Sequence, residues 1–254
     1  MGTVSKAMSV LEVFSHEDPE IGLSDISRRL KFDKATTLRL LNSMLSFGLV
    51  EKTDPGKLYR IGPAVHRLAS IRSDTLAFAE LAQPILDRLR NETSESCHIS
   101  EASHDGMATV LLAHSAKSLR VNFAVGERLP FHCTASGIAY LSKARAGVVD
   151  RVANGPLPKI TSRSKTTPKE LVQQITEAQG RGFSINNGAF DEEAISVAAP
   201  LLDFEGFAFA AISVAAPTSR TDQKLLARHG NLVMRAGRDI SLAVGSKSTQ
   251  AKCK

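Results

Sequence analysis

Of its 254 residues, none is Trp, two are Tyr and three are Cys. Each scarcity excludes something. Cys97, Cys133 and Cys253 are odd in number and far apart, which argues against a disulfide framework and fits a reducing cytoplasm. No apolar run reaches the roughly 18–20 residues that span a bilayer, and the start, MGTVSKAMSVLEVFSHEDPE, has no basic segment followed by an apolar one. Membrane association and secretion are therefore not expected. With no Trp and little Tyr, an aromatic cage for a ligand is not expected either. Catalytic signatures are missing too: no G-x-S-x-G elbow, no G-x-G-x-x-G, no P-loop and no H-E-x-x-H. The Asp191-Glu192-Glu193 run reads as a solvated loop, and no nucleophile is paired with a base, so an enzyme is not expected. Cys97-His98 and His132-Cys133 carry zinc-type ligands, but neighbours on a strand point to opposite faces, so each pair presents one ligand at most. No cofactor or metal is expected.

What is present is a chain with 43% hydrophobic residues, enough for a sizeable core, and a formal charge of +6. Residues 1–72 hold 11 basic and 8 acidic residues against 21 and 18 in the remainder, so half the surplus lies in the first 72 residues. Within that part, Ala7, Val10, Leu11 and Phe14 repeat at helical spacing over Ser5–Phe14. Ser24 can cap a second short helix whose Ile26 and Leu30 face inward. Asp33 can cap a third, Lys34–Ser46, stopped by Gly48. Leu49–Lys52, the turn Thr53-Asp54-Pro55-Gly56 and Leu58–Ile61 then form a β-hairpin. Three helices and a hairpin in this order make a winged helix-turn-helix.

On a wheel at about 100° per residue, Thr37, Leu40, Leu41, Met44 and Leu45 share one face of the third helix. Ala35, Arg39, Asn42, Ser43 and Ser46 share the other, with Lys34, Thr36 and Leu38 at its margins. A helix entering a major groove needs small or polar residues and donors for base edges. Arg39 suits guanine and Asn42 adenine, while Lys34, Thr36 and Ser43 suit phosphates. Lys57 and Arg60 of the hairpin add contacts that do not depend on base sequence. Ser24 is placed with them as a DNA contact.

Further on, Ala64–Ile71 reads as helix, Leu76–Leu89 as a helix interrupted by Pro84, and 63–78 as a connecting helix. Strands are expected at Cys97–Ser100, Met107–Ala113, Arg120–Val125, Phe183–Asn186, Ile195–Leu202 and Phe207–Ala215. Helices are expected at Ala135–Lys143, near Ala146–Ala153, from a Thr167-Pro168-Lys169-Glu170 capping box to about Gly180, and at Thr221–Val244. The tail 246–254 reads as flexible. Ser196 and Ser213 are hydroxyls set in apolar strands, each needing a partner or a cavity. The helix start Thr134-Ala135-Ser136-Gly137 offers backbone N–H groups to a carboxylate. An organic acid is therefore placed with its carboxylate at Ala135 and Ser136, contacted by Ser196, Ser213 and Asn186.

The stretch LSDISRRLKFDKATTLRLLNSMLSFGLVEK, followed by YRIGPAVHRLA, resembles the winged helix-turn-helix of the IclR family of bacterial transcription regulators, collinearly over residues 4–70. VGERLPFHCTASGIAYLS at 125–142 and RGFSINNGAFDEEAISVAAPLLDFEGFAFAAISVAAPTSR at 181–220 resemble the same family's C-terminal half. Asp33 stands where that family commonly has Pro, and Leu38 where it has His. Leu38 is taken to widen the core face, with contact to a thymine methyl as the alternative. Asn186 replaces Asp, which removes a negative charge and favours a more anionic ligand; Ser196 replaces Cys, and Ala215 replaces Ser, which leaves one side of the pocket less polar.

The resemblance implies an α+β protein: a winged helix-turn-helix over 1–62, a connecting helix over 63–78, and a GAF-like antiparallel sheet flanked by helices over 79–245. It implies a small effector walled by Val121 and Leu129, His98 and His132 in structural or pocket-lining roles, and a homodimer or homotetramer on double-stranded operator DNA. A DNA-binding protein whose C-terminal domain only oligomerises, and a small-molecule enzyme, are the alternatives.

Overall fold

The computed structural model describes residues 2–15, 17–53, 57–74 and 78–245. The turn expected at Asp54, Pro55 and Gly56, the tail 246–254 expected as flexible, and Cys253 within it lie outside them. The chain divides into two compact units, Met1–Ala77 and Phe78–Lys254.

The first unit runs α1 (Thr3–Leu11), β1 (Glu20–Gly22), α2 (Leu23–Leu30), α3 (Lys34–Ser46), β2 (Val50–Lys52), β3 (Leu58–Ile61) and α4 (Pro63–Asp74). Its core joins Val10, Ile21, Ile26, Leu40, Leu41, Met44, Val50 and Tyr59. α3 starts where Asp33 Oδ1 accepts the Thr36 N–H at 2.7 Å, a bond that holds the Asp33 carboxyl below its usual range. It stops at Gly48, whose positive φ of 66° suits glycine. α2 departs from expectation. Its N-cap is Gly22, with no side-chain cap, so Ser24 sits inside the first turn rather than before it. β1 was not foreseen, because three residues are too few to show an alternation; it adds an antiparallel edge, giving the order β1-β3-β2. Gly62 is required by packing: a Cβ there would lie 2.3 Å from the Gly48 carbonyl oxygen.

The second unit continues α5 (Phe78–Thr93), β4 (Ser96–Ala102), β5 (Met107–Ala113), β6 (Arg128–Leu129), α6 (Ala135–Leu141), α7 (Val148–Ala153), α8 (Pro168–Arg181), β7 (Ser184–Asn187), β8 (Ala194–Leu202), β9 (Ala208–Pro217) and α9 (Gln223–Ala243). The strands form one antiparallel sheet ordered β6-β5-β4-β9-β8-β7. The fold is α+β, a helix-turn-helix unit followed by an antiparallel sheet flanked by helices. Pro84 does not interrupt α5; it lies within the helix, where it removes a backbone donor on an exposed turn. The segment expected as a strand at Arg120–Val125 has no strand structure, because the sheet edge is taken by β6 at Arg128–Leu129. The connecting helix expected over 63–78 is α4 alone within the described residues, with α5 beginning at Phe78.

Period-2 alternation separates the faces of this sheet. Cys97, Ile99, Val197, Ala199, Ile212 and Val214 point to one apolar core together with α5 and α9. The opposite face carries His98, Ser213 and Ala198 in direct register across β4, β9 and β8. Small residues on that face, Ala198 and Ala211, pack against α6 and α8. α8 begins with the expected capping box, Thr167 and Glu170 bonding each other's backbone N–H.

Candidate effector cavity and nucleic-acid interface

The second face of the sheet does not pack fully. Between it and the start of α6 lies an empty space of about 540 Å³, solvent at its mouth included. The sheet contributes His98, Ser196, Ser213 and Ala215, and α6 contributes Ala135 and Ser136. The walls are completed by Val121, Phe123 and Leu129 on one side and by Asn186 and Phe190 on another. All seven residues singled out in the sequence for an effector (Val121, Leu129, Ala135, Ser136, Asn186, Ser196 and Ser213) therefore line one cavity.

Their chemistry differs from expectation. Asn186 lends its amide to the backbone: Nδ2 donates to the Cys133 carbonyl and Oδ1 accepts the Ala189 N–H at 2.9 Å. It ties β7 to the approach of α6 rather than presenting a free amide. Ser213 Oγ donates to the Val197 carbonyl at 3.1 Å. The Ser196 hydroxyl makes no hydrogen bond among the described residues and is the freer of the two.

Sequence reasoning gave His98 only a structural or pocket-lining role, and it is the most distinctive group of the site. It is 2% exposed. Its Nε2 shares a 3.1 Å hydrogen bond with Ser136 Oγ, and its Nδ1 is buried with no partner. Burial pushes its pKa down to about 3, so the imidazole is neutral at physiological pH. The Phe123 ring lies against it at 4.1 Å between centroids. With Phe190, the cavity thus carries three rings; the aliphatic sensor expected from scarce Tyr and absent Trp is corrected by phenylalanine and histidine. Register could have found His98, since it stands directly opposite Ser213.

Thr134 sets the α6 end of the cavity. Its Oγ1 accepts the Gly137 N–H at 3.1 Å and donates to the Pro130 carbonyl at 2.7 Å. Glycine is needed at 137 because a Cβ would lie 2.3 Å from the Phe131 carbonyl oxygen. Thr134→Val keeps the shape and removes both bonds. It is expected to cost about 1–2 kcal/mol of unfolding free energy, measured by urea denaturation, and a loss within error would mean that α6 needs no cap.

Neither thiol is primed for chemistry. Burial pushes Cys97 and Cys133 up to about 12, which leaves both protonated. His132 Nε2 donates to the Pro158 carbonyl at 2.9 Å. Among the described residues no group of three or more His, Cys, Asp or Glu is placed to hold a metal ion.

In the first unit, α3 buries Thr37, Leu40, Leu41 and Met44 and exposes Lys34, Arg39, Asn42 and Ser43, with Thr36 half-buried. Leu38 is 38% exposed beside Arg39. It does not widen the core, since a wheel position one residue from Thr37 turns it out of the packed stripe. Lys57 is exposed on the wing. Arg60 stands on the central strand directly opposite Glu20 and Glu51, and its guanidinium pairs with Glu51 at 2.6 Å and Glu20 at 3.4 Å. A phosphate at Arg60 therefore competes with two carboxylates already in place. Ser24, exposed in the first turn of α2, is not on the α3 face.

Comparison with known proteins covers both units. The model of the IclR helix-turn-helix domain matches residues 3–54, and that of the bacterial transcriptional regulator IclR C-terminal domain matches residues 73–242. The regulator BhcR of Paracoccus denitrificans is 26% identical over 245 residues, 96% of this chain and 88% of its own length. The transcriptional repressor IclR of Escherichia coli is 22% identical, over 96% of this chain and 90% of its own. Among solved structures, a protein assigned as an IclR transcriptional regulator from Silicibacter sp. TM1040 superposes with a TM-score of 0.81 at 33% identity, covering 97% of each chain. An IclR homologue from Microbacterium hydrocarbonoxydans, crystallised with 4-hydroxybenzoate, shares the fold at a TM-score of 0.80 and 23% identity, covering 96% of this chain and 99% of its own.

Proposed function

Because the chain belongs to the IclR family of bacterial transcriptional regulators, we propose that its helix-turn-helix binds a pseudo-palindromic operator under the control of a small organic acid held in the C-terminal cavity. The observation that carries the sensing half is the convergence on one cavity of four hydroxyl residues, the start of α6 and buried His98, whose Nδ1 has no partner among the described residues. A buried polar atom without a partner is costly unless a ligand or water completes it. That a neighbour of the same fold holds 4-hydroxybenzoate supports an organic acid. The carboxylate is placed near Ala135 and Ser136, within reach of Ser196.

The reading half rests on α3. Arg39 and Asn42 address base edges, Lys34, Thr36, Ser43 and Lys57 the phosphates, and Ser24 and Arg60 are secondary contacts. Two copies related by a two-fold axis meet half-sites about one helical turn apart, as a homodimer or a pair of dimers. Leu68 and Ile71, 50% and 52% exposed on α4, support self-association. The effector shifts DNA binding by no more than its differential affinity for the two arrangements of the protein. Among the described residues no helix is long and apolar enough to cross a membrane. A cytoplasmic, non-enzymatic regulator is the reading that fits.

A mobility-shift assay with the DNA upstream of its own gene tests this. The expected result is a specific shift altered by one member of an organic-acid panel. No specific shift overturns the reading, and a shift that ignores the whole panel favours a protein whose C-terminal unit only oligomerises. With the effector in hand, calorimetry should show Ser196→Ala losing roughly five- to tenfold in affinity and Ser213→Ala less, since Ser213 already bonds Val197. The opposite order would reverse the two roles.

A further inference from the structure

The charge around the cavity restricts the ligand further than its size does. This inference rests on the sensing function proposed above. The only charged side chains lining the cavity among the described residues are Glu127 and Asp191, both acidic. Glu127 Oε2 accepts the Ala124 N–H at 3.1 Å and Asp191 Oδ1 accepts the Glu193 N–H at 3.0 Å, so each carboxylate is fixed by its own loop. No Lys or Arg lines the cavity to offset them. Recognition of two carboxylates on one ligand generally draws on cations, with Arg as the bidentate partner. Here the available side-chain donors are neutral: the Ser196 hydroxyl, the Asn122 amide and the His98 imidazole. The His98 Nε2 shares its hydrogen bond with Ser136 Oγ, and the ring brings no charge. A second carboxylate would meet no cation among the described residues that line the cavity and would add to the negative charge of Glu127 and Asp191. The remaining wall, Phe123, Phe190, Val121 and Leu129, is apolar.

We propose that the cavity selects a monocarboxylate on a compact apolar body and rejects di- and tricarboxylates. This reverses the expectation, drawn from Asn186 in place of an acid, that the ligand is more anionic. The negative charge at position 186 is absent, but Glu127 and Asp191 supply two at the mouth. The two carboxylates act as a charge filter, and neutral donors serve the single carboxylate.

The test is calorimetric titration of the full-length protein with benzoate and cyclohexanecarboxylate against terephthalate and adipate, at low and high salt. The expected result is that a monoacid binds at least roughly tenfold tighter than the diacid of similar body, with the gap narrowing as salt screens the repulsion. The Glu127→Gln, Asp191→Asn double variant keeps both loop acceptors and removes both charges. It should raise the diacid-to-monoacid affinity ratio by roughly tenfold. Diacids binding as well as monoacids would overturn the proposal and leave the sensing function standing. A ratio unmoved in the double variant would overturn the charge filter. No binding by any of the four at millimolar concentration would overturn the proposal, and the mobility-shift panel would then decide the sensing function separately.

Discussion

Glu95→Gln is expected to lower the unfolding free energy by about 2–3 kcal/mol, the largest single-residue effect on stability anticipated in the second unit. The Glu95 side chain is 1% exposed at the entry to β4. It takes two hydrogen bonds from Arg220, at 2.9 and 2.7 Å, and one from Lys117 Nζ at 2.7 Å. It thereby joins the start of β4 to the segment after β5 and to the turn that follows β9. Breaking a fully buried pair typically costs roughly 3–5 kcal/mol. Lys117 and Arg220 are 42% and 26% exposed and can rehydrate, which moves the expected loss below that range. Urea denaturation at pH 7 measures it, and a change under about 0.5 kcal/mol would mean that the cluster is incidental.

The same carboxylate sets an acid dependence. Burial alone would raise its pKa, but Arg220 and Lys117 more than offset burial and hold it below the ordinary 4.5. A group with a depressed folded pKa adds stability that is complete above its unfolded value and is lost as pH falls through the folded one. Wild-type stability should therefore fall below about pH 4.5 more steeply than that of Glu95→Gln. Curves that stay parallel through that window would exclude Glu95 as the group responsible.

Arg39→Ala is expected to cost roughly 1–3 kcal/mol of specific DNA binding, with relaxed discrimination at one base pair of each half-site. The guanidinium stands exposed on α3 with no partner among the described residues, so its donors can reach guanine O6 and N7. Arg60→Ala is the informative control. Its guanidinium is committed to Glu51 and Glu20, so the loss should be smaller and alike across sequences. Fluorescence anisotropy against the operator and a scrambled duplex separates the two. A uniform loss for Arg39→Ala would place that residue on phosphate instead. Leu38, exposed beside it, can meet a thymine methyl, which substitution of uracil in the operator would reveal.

The local chemistry of this chain was legible without coordinates wherever a signal was complete within a few residues. The Asp33 cap, the Thr167 capping box and β5 at Met107–Ala113 are such cases, because a cap or an alternation is a property of neighbours. Elements shorter than one period were not legible: β1 and β6 pair only because a partner edge is presented to them. Arg120–Val125 looked like strand for the converse reason, being apolar enough to pair but displaced from the edge by the residues that follow.

Sequence alone determined the exposed face of α3 that carries Lys34, Arg39 and Asn42, and seven of the residues that line the cavity, since residue type and spacing specify face and polarity. What only the tertiary structure decided is how those groups are spent. Asn186 and Ser213 are consumed by backbone carbonyls, Arg60 by two carboxylates, and His98 is left neutral with one unmet nitrogen. Those hydrogen-bond partners lie 9 to 53 positions away in the chain, so no local pattern records them.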